Sequence, residues 1–468
     1  MRRGLILFLW TTAPLAILAG DSVAFAEQTP SCQVFVQPGE SIQAAIDTAP
    51  EGAVICLAAG EWQEDIAITR SLTLMGQRGM TRVRARDGHS TVVLIDLPEG
   101  TGNARVVVDC IDVAGMGPGS AWLDGSGIGI EIAGHAQAAV TDCYIDSNAS
   151  YGIRVGDSAG AAIERCLIVA NDSVGISLQD TAQAMVTGCT IAGNGSNGIW
   201  LQDMSQATIT HCAVAGNDGD GIMIMDMAKI RVEDCTVCGN AEYGIWGRDQ
   251  AGVSIKGGTC CDNEMEGVVL SGSAIYDAEG CTLSGNKNHG IYLVERSMAS
   301  LVGCTVSESG QGIWLCDSSV ILVDGCTVSS VVLGIVLNNA SRAVIRDCSV
   351  SENDIGIMVT DSSQATITRC SVSDNSVGGI LLSDGLFSGE PQATIRDSEI
   401  LRNGYYGIRL DDPPCTNSGF TFTGHLTGGG NTIPGPGEPD GNAEAICPDV
   451  LSFLMTPEGG ELDRRLTP

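Results

Sequence analysis

An all-β solenoid, a parallel β-helix of short coils, is the fold class that the sequence predicts, and three observations predict it. A cysteine recurs as a ruler: Cys143, Cys166, Cys189, Cys212 and Cys235 stand 23 residues apart, Gly258 holds the next place, and Cys281, Cys304, Cys326, Cys348, Cys370 and Ser398 continue the series. Apolar residues stand two after and three before each ruler position, as Ile168 and Ile163 do for Cys166. That alternation is the mark of short strands. A glycine then opens a segment of the Gly-Ile-x-Leu kind in each of twelve copies, from Gly152 through Gly198, Gly221 and Gly244 to Gly407.

A period of 22 to 23 residues holds three short strands and three turns, too little for a helical repeat, and the Leu-x-x-Leu-x-Leu signature of leucine-rich repeats is absent. Coils stacked at ~4.8 Å turn equivalent residues into ladders, and the apolar ladders into one continuous core. The ruler cysteines are expected inside it, unpaired, because that spacing exceeds the ~3.5 to 4.5 Å between Cβ atoms that a disulfide prefers. Five residues after the ruler stands an asparagine in ten of the twelve copies, among them Asn148, Asn171, Asn194 and Asn217. Inward amides there are expected to bond the backbone and the amide of the next coil. The sequons at Asn148, Asn171 and Asn194 then carry no meaning.

In chain order, Arg2 and Arg3 precede an apolar run from Leu5 to Leu18 and a small-residue site at Ala24-Phe25-Ala26, the pattern of a signal peptide over residues 1 to 26. A membrane anchor fits less well, because Thr11, Thr12 and Pro14 interrupt a run already short for a span. A secreted or periplasmic protein without a membrane span after cleavage is expected. Residues 27 to 110 read as an N-terminal cap and first coils. Ser41 is placed to cap a short helix whose Ile42, Ala45 and Ile46 face inward, and strand-like pieces follow at 53–57, 66–69 and 71–75. Residues 111 to 412 are the repeat proper, lengthened by insertions at 114–127 and 385–392, and residues 413 to 468 a Pro/Gly-rich C-terminal cap or tail. Cys32 with Cys56 and Cys415 with Cys447 flank the two caps and are the disulfide candidates of an exported protein. Cys238 and Cys261 hold equivalent places in neighbouring coils, and bridged, metal-bound and free states all stay open.

With 468 residues, 44% of them hydrophobic but only 4% aromatic, and 61 glycines, the composition suits one long solenoid with a narrow aliphatic core. A net charge of −32 argues against nucleic acid and anionic lipid as partners and leaves metal cations, basic partners and glycans. Five residues after the strand-opening glycines runs a carboxylate row that includes Asp157, Asp180, Asp203, Asp226, Asp249, Glu295, Asp317, Asp361, Asp384 and Asp412. Neighbouring charges ~4.8 Å apart repel by roughly 0.9 kcal/mol even in water. Hydrogen bonds from each aspartate's own turn are the expected offset. Calcium between Asp180, Asp203, Asp226 and Asp249 is the alternative.

The residue two after each strand-opening glycine is expected to point outward. That row contains Trp200, Trp246, Tyr292 and Trp314, in a chain with only six tryptophans. Trp200, Trp246 and Tyr292 lie on alternate coils, about 9.6 Å apart by the stacking distance. That is near the length of two sugar residues, and aromatic faces cover sugar rings well. Cover by a loop, the tail or a second subunit is the other reading, and the oligomeric state stays open. Beside the row, one per coil, stand Asp220, Tyr243, Glu266, His289 and Gln311. Asp220 and Glu266, about 9.6 Å apart, sit at the upper limit for an inverting carboxylate pair with water between, and His289 has the chemistry of an acid or base.

Two resemblances add to this. The residues Ile42-Gln43-Ala44-Ala45-Ile46-Asp47, Ala49-Pro50-Glu51-Gly52, Gly60-Glu61-Trp62 and Leu72-Thr73-Leu74-x-Gly76 resemble the first coils of pectin-lyase-like proteins, and the Gly-Ile-x-Leu and Asn coils resemble that superfamily's repeats. The resemblance covers most of residues 34 to 412 and implies a single-stranded right-handed parallel β-helix, but it does not fix an activity. No Gly-His-Gly of polygalacturonases, Asp-Pro-His-Asp of alginate epimerases or Leu-Gly-Arg-Pro-Trp of pectin esterases is present. The repeats also resemble periplasmic copper-binding β-helix proteins of nitrous-oxide reductase maturation. Met223, Met225 and Met227, with Met204 one coil earlier, would supply the thioethers that copper(I) prefers. The reading with most behind it is an exported protein that binds an extended ligand, a polysaccharide or other cell-envelope component, along Trp200, Trp246, Tyr292 and Trp314 with Tyr243 beside them. A polysaccharide-active enzyme using Asp220, Glu266 and His289 is the alternative, and a structural, adhesive or copper-binding solenoid is the third.

Overall fold

The structure is a computed structural model and describes residues 31–87, 91–99, 105–115, 127–383, 389–410, 424–442, 446–447 and 454–463. The expected signal peptide, Asp384, Asp412 and the Cys415–Cys447 pairing lie outside the described residues.

Each coil contributes one strand to each of three sheets. In the coil of Cys212 these are Gln206–Thr210, Ala213–Ala215 and Ile222–Ile224. Described strands stack into a first sheet of 18 strands, a second of 15 and a third of 16. Pairing from coil to coil is parallel and keeps equivalent residues level, so Ile209 lies over Val186 and Ile222 over Ile199. Inward Ile163, Val186 and Ile209 are 0% exposed, and the same column stays buried and apolar from Ile55 to Ile395 in the described coils.

The ruler cysteines are inward, as expected: Cys166, Cys189 and Cys212 are buried. They also form a bonded column, because the Cys166 backbone N–H donates to Cys189 Sγ at 3.4 Å and the Cys189 thiol donates to the Ile163 carbonyl at 3.5 Å. The asparagine column satisfies the turn next to it. Asn171 Nδ2 donates to Asn194 Oδ1 at 2.9 Å and to the Ile145 carbonyl at 3.4 Å, while the Asn171 N–H also reaches Asn194 Oδ1 at 3.2 Å. With Asn148, Asn171 and Asn194 at 0 to 1% exposure, their sequons are internal.

Helix α1 (Ile42–Thr48) covers the first coil with Ile42 and Ile46 buried, and the Ser41 hydroxyl accepts the Ala44 N–H at 3.1 Å. Glu64 adds what the sequence reading did not contain. Its buried carboxylate accepts the Ile42 and Gln43 N–H groups and the Ser41 hydroxyl, tying the start of the helix to the coil beneath it. The Cys32–Cys56 disulfide pins the residues before the helix to the strand Ala53–Leu57, as expected of that pair.

At the other end the Pro/Gly-rich segment carries the ladders further than its composition suggests. His425–Gly429 pairs in parallel with Gln392–Arg396, and Asn403 Nδ2 donates to Asn442 Oδ1 at 2.9 Å. Gly460–Asp463 then lies antiparallel on His425–Gly429 and covers the open edge.

Candidate functional site

The third sheet presents the aromatic row. Its outward positions run Arg154, Ser177, Trp200, Met223, Trp246, Val269, Tyr292, Trp314, level with one another strand by strand. Inward Ile and Leu on either side fix which way each ring points, since a strand alternates its faces. Trp200, Trp246, Tyr292 and Trp314 are all half-buried. Tyr243 meets Trp246 edge to face at 5.3 Å, His289 stacks on Tyr292 at 5.2 Å, and His289 meets Trp314 edge to face at 5.3 Å. Tyr243 with Trp246, and His289 with Tyr292 and Trp314, thus form two ring clusters, and Trp200 stands apart from both.

The row before the glycines divides into two kinds of residue. Glu266 and His289 are brought together, with His289 Nδ1 3.0 Å from Glu266 Oε1. Asp220 is placed apart from them, with Tyr243 on the coil between, and is 1% exposed. Its N–H donates to Asn197 Oδ1 at 2.8 Å, and its own Oδ1 accepts the Tyr243 N–H at 3.2 Å. Asp220 therefore does for the next turn what Asn197 does for its own. Burial pushes its carboxyl up to about 7, against the pull of the Tyr243 N–H, so Asp220 titrates near neutrality.

Sequence reasoning missed Arg248 and Cys316, and read Met225 only as a thioether for copper; each stands just after its strand, two residues beyond the outward position of its own coil. Trp200 Nε1 donates to Met225 Sδ at 3.4 Å, Trp314 Nε1 donates to Cys316 Sγ at 3.1 Å, and the Arg248 guanidinium lies 5.5 Å from the Trp246 ring centroid. These contacts hold the indoles in place. Burial, followed by Cys316 and nearby acids, pushes the Tyr292 hydroxyl up to about 12, so it stays protonated.

The carboxylate row is held by hydrogen bonds, but not each within its own turn. Asp180 Oδ2 accepts the N–H of Asp157 at 3.1 Å and Asp203 Oδ2 that of Asp180 at 3.0 Å, with Asp226 doing the same for Asp203. The correction has a backbone cause: these aspartates adopt left-handed φ near 53 to 60°, and the bonds join each coil to the next. Among the described residues no group of three His, Cys, Asp or Glu side chains is arranged to hold a metal ion. Of the methionines, Met223 Sδ accepts from Asn197 Nδ2 at 3.3 Å and Met225 Sδ from Trp200, while Met204 and Met227 are 50% exposed. Cys238 and Cys261 form a disulfide across neighbouring coils.

A family model described as right-handed beta helix region matches residues 119–260 and 266–423. No curated protein matches the sequence. Among solved structures, a mutant of the periplasmic alginate epimerase AlgG aligns with 13% identity and a TM-score of 0.46, over 64% of this chain and 84% of that one. The A-module of the Azotobacter vinelandii mannuronan C-5 epimerase AlgE4 aligns with 15% identity and a TM-score of 0.43, over 76% of this chain and 94% of that one. The catalytic domain of a GH87 alpha-1,3-glucanase in complex with nigerose aligns with 12% identity and a TM-score of 0.42, over 78% of this chain and 67% of that one.

Proposed function

We propose, from the premise that this chain belongs to the right-handed beta helix region family, that its aromatic row is the binding track of an extended polysaccharide. The observation that carries the reading is the level, half-buried row of Trp200, Trp246, Tyr292 and Trp314 on one sheet face. Indoles held edge-on by Met225 and Cys316 are preorganised, so little rotamer entropy is lost when a sugar ring stacks on them. The signal-peptide pattern of the N-terminal sequence and the two disulfides support an exported location, where envelope or extracellular glycans occur.

Catalysis on the bound chain is the second reading, favoured by one observation: the Glu266–His289 pair and a carboxyl that titrates near 7 border the track. An acid of that pKa suits proton transfer at neutral pH. Asp220 is buried and already engaged by Tyr243, which favours binding as the primary role.

A glycan array with the mature protein, read for retention and for chain cleavage, tests both readings. Replacing Trp200 and Trp246 together by Ala is expected to leave the fold intact, because neither ring enters the aliphatic core, and to weaken retention by more than about tenfold from roughly 1 kcal/mol of stacking per ring. Undiminished retention by a folded double variant would remove the track. Cleavage products that vanish in His289→Ala would make catalysis the primary reading.

A further inference from the structure

We infer that the polymer on this track is uncharged and not a polyuronate, an inference that rests on the binding track proposed above. The charges facing the track carry it. On the side of the glycine turns stand Glu242 and Glu266, and on the side of the carboxylate row Asp226, Asp249 and Glu295. Two cations of the same coils are paired with carboxylates: Arg248 Nε lies 3.1 Å from Asp249 and Lys287 Nζ lies 2.9 Å from Glu264. The exposed Arg296 lines one surface hollow with Glu295 and Asp317. His289, where protonated, faces Glu266.

A polyuronate carries a carboxylate on every sugar. Stacked along Trp200, Trp246 and Tyr292, it would set a row of negative charges between two rows of the same sign, and the guanidinium that lies over the Trp246 ring, Arg248, is already paired with Asp249. A hydroxyl-rich uncharged chain meets no such repulsion. The face offers it neutral partners in Gln202, Ser271 and Asn288.

The test is affinity electrophoresis of the mature, disulfide-bonded protein through gels holding a neutral glucan, a neutral mannan, chitosan, alginate or polygalacturonate, with a chelator present and at low and high salt. The expected result is retardation by an uncharged polymer, unaltered by salt and reduced at least tenfold in the W200A/W246A variant. Salt-sensitive retardation by alginate or polygalacturonate, or retardation by chitosan alone, lost in that variant, would overturn the uncharged ligand and leave the glycan track standing. Retardation by none of the five would overturn the glycan track itself and this inference with it.

Discussion

The coils of Cys166, Cys189 and Cys212 and the coil of Gly258 have the same length but reach a filled interior by different routes. In the regular coils a cysteine, a leucine and an alanine repeat level with themselves, as Leu178 under Leu201 and Ala184 under Ala207. Around Gly258 the leucine position becomes Gly247 and the cysteine position becomes glycine. The reason at Gly258 is the backbone, which takes φ +79° there; a Cβ would fall 2.3 Å from the Cys235 carbonyl oxygen. The alanine column compensates by growing through Ile230 and Val253 to Tyr276, the largest fully buried side chain described. A cavity of about 20 Å³ is left, lined in part by Cys235, Cys260, Tyr276 and Cys281. On the outside of the same two coils the Cys238–Cys261 disulfide joins them covalently. The lesson is that a ladder tolerates a lost rung when volume is restored from the facing sheet.

The largest expected effect breaks that compensation. Tyr276→Ala should destabilise by about 3 to 5 kcal/mol, the range for deleting a buried aromatic where the core cannot collapse. Equilibrium urea unfolding measures it. A loss below about 1 kcal/mol would mean that Tyr276 does not replace the volume missing at Gly247 and Gly258.

A second, somewhat smaller change sharpens the comparison at Asp220, where a carboxylic acid stands in a column begun by Asn197. Its pKa rises from 3.8 in the unfolded chain to about 7 in the fold. Its contribution to stability is therefore full below about pH 4 and is lost as the pH rises through 7. Asp220→Asn keeps an oxygen for the Tyr243 N–H and cannot ionise. The variant should match the parent in acid and exceed it above pH 7 by at most about 4 kcal/mol. Equal stabilities at pH 5 and pH 8 would rule out the burial account.

The smallest effect concerns the carboxylate row, where regular coils already bond one another through Asp180, Asp203 and Asp226. Calcium is proposed to add at most about 1 kcal/mol, since an oxygen of each side chain is already committed to a backbone N–H. Melting with and without chelator checks this. A large fall in Tm on chelation would give the row to the metal.

Periodicity alone determined the solenoid, the inward cysteines and asparagines, the capping helix and the outward tryptophans. The helix follows from its Ser41 cap and the helical spacing of Ile42 and Ile46, and the rest from side-chain alternation within a strand and repetition between strands, all of which are local in sequence. The Cys32–Cys56 pair was legible for the same reason, as two cysteines flanking one capping element. Tertiary structure decided the rest. Whether Cys238 and Cys261 join depends on two coils lying level, and the sequence left that open. That Asp220 is engaged by Tyr243 while Glu266 meets His289 depends on which turn each carboxylate finds above it. The same holds for Glu64 beneath α1 and for the aspartates that bond across coils rather than within them. Spacing fixes which residues share a ladder, but the hydrogen-bond geometry between rungs depends on backbone φ and side-chain reach, which no count of residues contains.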